Sequence, residues 1–486
     1  MVLPVVSLLV LLALQTAAVE LNYIINVSNP ETSMANVTIE IYGLESNEKL
    51  NFRMQKYDWY TRSKILGDIE CSNCVVYTIG NIVEIKPLSS MGVVQITYKV
   101  INRARDPHGD YESYLDENFG VLDGRFLFLK PVESEINSVN VSFYLPSGWK
   151  IAHVWDENPT VEQLDNFIAV GPLEVTEYSF GKTKIKIARF TDNERKNFSK
   201  LPEIINKIIE FYVNKAFGGE PESNLLIILA KSPIEGGGVR KHSIMVSREY
   251  THFKIFSILS HELCHIWNGK SIRYETPSTY WFNEGGTEYI SKLALINSGV
   301  LSEDYYKQIL YRKWIRYKET IVDKGKDKPV SSVREYGSDD YLIYHKGELV
   351  AYLLDNEIKK RTEGKKSILD VMRYLYENDR VIEGNEDILK AVEAVTGSNF
   401  ANFFENYVYG AKPIELRFKE TPKPTFATPE PTRNVARTPI QYTTNVSSSK
   451  TAGDAEVPKT LIPGFETTSV IVGLVFVTYI FYVRRK

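Results

Sequence analysis

The stretch ILSHELCHIWNGKSIRYETPSTYWFNEGGTEY, from Ile258 to Tyr289, holds residues whose types and spacing suit metal-assisted hydrolysis. His261, Glu262 and His265 form an HExxH run, and eighteen residues separate His265 from Glu284. On a helix, residues four apart project from one face, so the two imidazoles can grip a single ion. Glu262 stands beside them, placed to act on a metal-held water without being a ligand. A carboxylate from a second helix, Glu284, completes three protein ligands and leaves the fourth position of a catalytic zinc site open to water. One Zn2+ ion is therefore the expected cofactor.

The surroundings fit this reading. Phe253, Ile255, Phe256, Ile258 and Leu259 give the preceding segment an apolar helical run suited to burial. A metzincin pattern would need glycine at position 268 and histidine at 271, where the chain has Asn268 and Ser271. Glu288, one turn after Glu284, either hydrogen-bonds the outer nitrogen of a ligand histidine or stands as a solvated helix carboxylate. A zinc ion would acidify its water and polarise a scissile carbonyl. Glu262 would then take the water's proton and hand it to the leaving amine.

These same residues carry a family resemblance. HELCHIWNGKSIR and WFNEGGTEYIS resemble the gluzincin metallopeptidases, and the glycyl aminopeptidase family more than the aminopeptidase N family. Trp267 and Asn268 match a Trp-Asn pair that typically follows the second histidine in the former. Downstream, YLIYHKGELVAYLLD is similar to the Tyr-x-Lys-Gly helix start of both families, and NFFENYVYGAKPIEL to the closing helix of the catalytic domain. The resemblance implies that Tyr344 donates a hydrogen bond to the oxyanion. A neutral phenol aimed at developing negative charge stabilises it without adding a competing charge. Tyr341 lies one helical turn away, and the Lys346-Gly347 pair selects Tyr344.

Upstream, SPIEGGGVRKHSIMVS takes the place of the family's substrate-binding strand. Gly236, Gly237 and Gly238 would let a substrate backbone come close, and Ser243 to Ser247 reads as a short edge strand. The two families follow their glycines with Leu-Glu-His or Met-Glu-Asn, whose glutamate binds the free amino terminus of the substrate. This chain has Val239, Arg240 and Lys241 there, with His242 shifted and Glu235 ahead of the glycines. A cation beside a protonated amine is repulsive. An endopeptidase, or an enzyme preferring acidic or blocked substrates, thus stays open beside a strict aminopeptidase.

The remaining sequence places these elements. Residues 1–18, MVLPVVSLLVLLALQTAA, read as a secretory signal peptide, with an uncleaved anchor as the alternative. Residues 19–184 alternate apolar and polar in NVTIEIYGL, NIVEIKPL, GVVQITYKVI and VNVSFYLP, which suggests a β-sandwich-like domain. Residues 185–418 form the expected thermolysin-like α+β zinc-peptidase domain with a helical C-terminal part. Leu201 to Phe217 reads as helix and Leu225 to Ala230 as a buried strand. Residues 419–462, rich in Thr, Pro and Ser, read as an extended stalk.

Residues 463–486 hold an apolar run from Thr467 to Val483 before Arg484, Arg485 and Lys486, as in a transmembrane anchor with a cytoplasmic basic end. Pro463-Gly464-Phe465 ahead of it resembles an archaeal sorting tag processed by an archaeosortase. Either way the enzyme is expected on the outer cell surface, where the sequons at Asn26, Asn36, Asn140, Asn197 and Asn445 permit glycosylation. In that compartment Cys71 and Cys74 suit a local disulfide better than a zinc knuckle, and Cys264 packs inward. A net charge of -3 argues against a nucleic-acid partner. Two functional classes remain: a surface-anchored peptidase acting on peptides or proteins, and a catalytically idle envelope or adhesion protein with a peptidase fold.

Overall fold

A computed structural model describes residues 19–416 except 47, 55–64, 90–91, 106–110, 133–135, 192–197, 222–223, 235 and 379. The expected signal peptide, stalk and sorting tail, with Glu235 and the sequons at Asn197 and Asn445, lie outside the described residues. Among the described residues no helix is long and apolar enough to cross a membrane.

Residues up to Gly171 are rich in sheet because their sequence repeats with period two. In Met34–Tyr42, Ala35, Val37, Ile39 and Ile41 face inward while Asn36, Thr38 and Glu40 face out. That strand pairs antiparallel with Val19–Asn26 on one side and Val94–Ile101 on the other. Ile136–Tyr144 closes this sheet by pairing parallel with Val19–Asn26. Two further sheets, of four and five strands, complete the region. Cys71 and Cys74 pair as a disulfide across the turn at Asn73, with Cα atoms 5.7 Å apart.

A five-stranded sheet then lies against the helices. Its order is Leu173–Phe180, Thr183–Phe190, Leu225–Ala230, Ser243–Ser247 and Gly237–Val239. The boundary expected after residue 184 falls inside its first hairpin. Leu225–Ala230 pairs parallel on both sides and is buried throughout, as a central strand covered on both faces should be. Leu225, Ile227 and Leu229 pack into the core shared with the helices. Leu226, Ile228 and Ala230 pack into the core of the N-terminal sheets.

One element differs from its expected place. Ser243–Ser247 is not the edge strand: it is fully buried and paired on both sides, antiparallel with Gly237–Val239. Its run Ile244, Met245, Val246 is continuously apolar, the mark of a strand covered on both faces. The open edge belongs to the glycine-rich segment instead, whose residues are only partly covered.

Two helical hairpin partners hold the site. His252–Cys264 starts at Thr251, whose hydroxyl accepts from Lys254 N at 3.3 Å. Ile255, Leu259 and Leu263 bury its apolar face. A second helix runs from Gly286 to Ser298 and stops at Gly299, which takes a positive φ of 80°. A third, Gly347–Arg361, crosses the start of the second so closely that both contact residues must be glycine. A Cβ on Gly285 would stand 2.4 Å from Gly347 C, and one on Gly347 would stand 3.1 Å from Gly285 Cα.

Candidate active site

Glu284 and Tyr344 both sit in single π-helical turns, Trp281–Gly285 and Tyr341–Lys346, immediately ahead of the crossing helices. Such turns widen the helix by one residue and aim a side chain off the regular face. The glycine crossing sets one turn against the other. On the facing side, the HExxH helix ends at Cys264 and presents His261 and His265.

The three expected ligand atoms converge. His261 Nε2 and His265 Nε2 are 3.0 Å apart, and Glu284 Oε2 lies 3.2 Å and 3.0 Å from them. Bonds of the usual zinc length would separate tetrahedral ligands by about 3.3 Å, so this group fits one ion with little adjustment. The charge balance asks for a cation as well. Burial opposes charge on His261, yet Glu284 and Glu288 outweigh it and lift its pKa to about 10. Burial likewise favours protonated Glu284, but His265 and His261 overturn it and hold the carboxyl well below the usual range.

Outer contacts fix each ligand. The His265 Nδ1–H donates to Asn268 O at 2.7 Å, which leaves Nε2 for the ion. His261 Nδ1 lies 3.3 Å from Glu288 Oε1, an ion-pair approach without hydrogen-bond alignment. Glu288 in turn accepts from Lys292 Nζ at 2.9 Å. Glu284 Oε1 accepts from the Tyr336 hydroxyl at 3.0 Å. No pattern in the sequence marks Tyr336, which lies in a loop with no periodicity.

The structure also explains the Trp267-Asn268 pair. Asn268 Nδ2 donates to Asn283 O and Thr287 Oγ1, both at 3.0 Å, and its Oδ1 accepts from Tyr274 at 2.6 Å. It thereby ties the segment after the HExxH helix to the segment carrying Glu284. Trp267 is fully buried, stacks on Phe217 and donates to Gly219 O at 2.9 Å. Lys346 is buried as well, donating to Asp327 Oδ1 at 2.7 Å and Lys328 O at 2.6 Å, so it anchors the turn that carries Tyr344.

Glu262 projects on the same helix with no hydrogen bond among the described residues. Burial raises its pKa, against the pull of His261 and His265. The Tyr344 ring lies 6.3 Å from that of His261, and its hydroxyl makes no hydrogen bond among the described residues. Burial first, and Glu284 next, push its pKa well up, so the phenol stays neutral. Tyr341 faces elsewhere: its ring stacks on His345, and its hydroxyl feels Asp327 and Arg316.

The three glycines prove unlike one another. Gly236 takes a φ of 74°, and a Cβ on Gly237 would meet Ile258 Cγ2 at 2.3 Å and Glu262 Cγ at 3.5 Å. Both are needed by the protein itself. A Cβ on Gly238 would meet only Phe167 Cζ, at 3.8 Å, so there the missing side chain leaves open space.

Beyond the glycines, Arg240 turns away from the edge. Its Nε and Nη2 donate to Asp123 Oδ2 at 3.0 and 2.8 Å, and its guanidinium covers the Phe167 ring at 4.4 Å. Arg125 Nη2 shares the same oxygen at 2.9 Å. Lys270 follows in the turn after the HExxH helix, its backbone N–H donating to His265 O at 3.0 Å. The protein crowding it comes first, then Arg240 and Arg125, in pressing its pKa down to about 8. The residue as a whole remains solvent-exposed.

Residues 254–350 match the model of the M61 glycyl aminopeptidase family. A search of curated proteins finds no match. Among solved structures, the chain is similar to an aminopeptidase N family protein from Idiomarina loihiensis. That likeness has a TM-score of 0.61 at 17% identity and covers 81% of this chain and 77% of that one. It is also similar to an M1 zinc metallopeptidase from Deinococcus radiodurans, with TM-score 0.54 and 13% identity over 84% of this chain and 97% of that one. An aminopeptidase A from Legionella pneumophila, in complex with aspartic acid, gives TM-score 0.50 and 12% identity over 81% of this chain and 49% of that one. The matched segment, the fold and the His-His-Glu group define the class: the chain is a zinc metallopeptidase for one zinc ion.

Proposed function

We propose that the chain hydrolyses peptide bonds in a substrate laid along the Gly237–Val239 edge, with His261, His265 and Glu284 holding the zinc ion. When bound, zinc supplies Lewis acidity toward the water and the scissile carbonyl. Glu262 accepts the proton of the attacking water and delivers it to the leaving nitrogen; its raised pKa suits that exchange. The Tyr344 hydroxyl donates to the oxygen that gains negative charge. Glu288 and Asn268 orient the histidines, and Tyr336 orients Glu284.

One observation carries this reading: three ligand atoms within 3.2 Å of one another, flanked by a carboxylate and a phenol that make no hydrogen bond among the described residues. A carboxylate and a neutral phenol left free beside a metal group are what a hydrolytic site uses as base and oxyanion donor. Glu262→Gln is expected to cut kcat by about a thousandfold or more while metal analysis still finds one zinc per chain. Hydrolysis persisting in that variant at the original rate would refute the assignment. We also hold that the enzyme is secreted and kept at the outer cell surface by its C-terminal segment, a reading supported by the apolar run from Thr467 to Val483 and the basic end. Cell fractionation with and without residues 463–486 tests it, the truncated chain being expected in the medium.

A further inference from the structure

The sheet that holds Ile136–Tyr144, Val19–Asn26, Met34–Tyr42 and Val94–Ile101 buries one face and keeps the other open. In Val19–Asn26, Leu21, Tyr23 and Ile25 point into the core, so Asn22, Ile24 and Asn26 point out. The register carries this outward face across the strands, with Asn26 opposite Asn36 and Asn22 opposite Asn140. Three sequons, Asn26-Val27-Ser28, Asn36-Val37-Thr38 and Asn140-Val141-Ser142, therefore share one face. None of the three asparagines is buried.

The amides of these three residues differ from their neighbour. Asn22, on the same face but in no sequon, donates from Nδ2 to Glu40 Oε2 at 2.8 Å. The Nδ2 atoms of Asn26, Asn36 and Asn140 make no hydrogen bond among the described residues. Asn26 Oδ1 accepts from Ser28 N at 2.9 Å and from Ser28 Oγ at 2.7 Å. This Asx turn engages the carbonyl of the side chain and leaves its nitrogen unengaged.

We propose that this face carries N-linked glycans at Asn140 and at one of Asn26 and Asn36, never at both of that pair in one chain. The inference rests on the reading above that the chain is exported to the outer surface. Attachment takes a lipid-phosphate-linked glycan as donor. A bond forms from asparagine Nδ2 to the sugar C1 as the C1–O bond to phosphate breaks. The lipid phosphate leaves with the electron pair, and the amide proton passes to a base of the transferase. Directly opposed residues on antiparallel strands hold their Cβ atoms about 5 Å apart, so a sugar on Asn26 takes the space that one on Asn36 needs. Asn140 stands beside Asn22, about 13 Å along the strand from Asn26, and that spacing leaves room for a second glycan.

The test isolates the full-length chain from the cells that make it and maps its glycopeptides by mass spectrometry. The tryptic peptide ending at Lys49 carries both Asn26 and Asn36, because no lysine or arginine precedes Lys49 in the chain. That peptide is expected with one glycan mass and never with two, while the peptide holding Asn140 carries its own. Asn26→Gln should move the glycan to Asn36, and Asn36→Gln should fix it at Asn26. Replacing both should leave the Lys49 peptide bare and the Asn140 peptide unchanged. Two glycans on one Lys49 peptide, or a bare Lys49 or Asn140 peptide in chains recovered outside the cell, overturns the inference. Bare chains recovered only inside the cell strike it together with the surface reading. Peptide hydrolysis by the same preparations is a separate readout, so absence of glycans leaves the hydrolytic function standing.

Discussion

On the metal side of the cleft, all three ligands and the carboxylate beside them come from one stretch, between His261 and Glu284. A second wall, beyond the glycine edge, draws Asp123, Arg125 and Phe167 from the N-terminal sheets and their connections and Arg240 from the turn after the edge strand. The first wall is local in sequence and rigid in space, tied by Asn268 and pinned by two glycines. The second meets only after the chain has folded. The metal group therefore depends on geometry that few substitutions can leave intact, while the second wall can be altered one side chain at a time.

The largest expected effect attacks the rigid wall. Gly285→Ala places a Cβ among backbone atoms of the crossing helix, which cannot rotate away. A stability loss of about 3 kcal/mol in urea unfolding is expected. An unchanged midpoint would mean the crossing does not pin the site. Next comes Tyr344→Phe, expected to lower kcat about a hundredfold with KM little changed, whereas Tyr341→Phe leaves kcat nearly intact. Equal effects of the two would erase the distinction drawn between them.

Asn268→Ala removes the ties between the two ligand-bearing segments, and zinc affinity measured by competition with a chelator should fall about tenfold to a hundredfold. The smallest effect belongs to the adaptable wall. Gly238→Ala meets only an ordinary contact with Phe167, so stability should move by less than about 0.5 kcal/mol. Peptide turnover by that variant then reports directly how close a substrate backbone approaches.

The difference between the walls also explains what could be read from the chain beforehand. His261 and His265 are legible because helical spacing converts sequence distance into a shared face, and Glu284 because it follows on a second helical segment close behind them. Leu225–Ala230 was legible because a strand covered on both faces is apolar throughout. Ser243–Ser247 shares that pattern, but the glycines that pair with it as the true edge carry no hydrophobic signal of their own. Tyr336 and Asp123 left no trace, because a loop tyrosine and a lone aspartate acquire meaning only from partners far along the chain. The two π turns were equally hidden: an extra residue in a helix does not disturb composition.

The five-stranded sheet gives one face to each core. Ala188, Phe190, Leu226, Ile228, Ala230 and Met245 lie against the N-terminal sheets, each at most 3% exposed. A peptidase half expressed from residue 185 onward would present that face to water as a broad sticky surface and would lose the aspartate that gathers the arginines. The two halves are thus expected to melt together in one calorimetric transition.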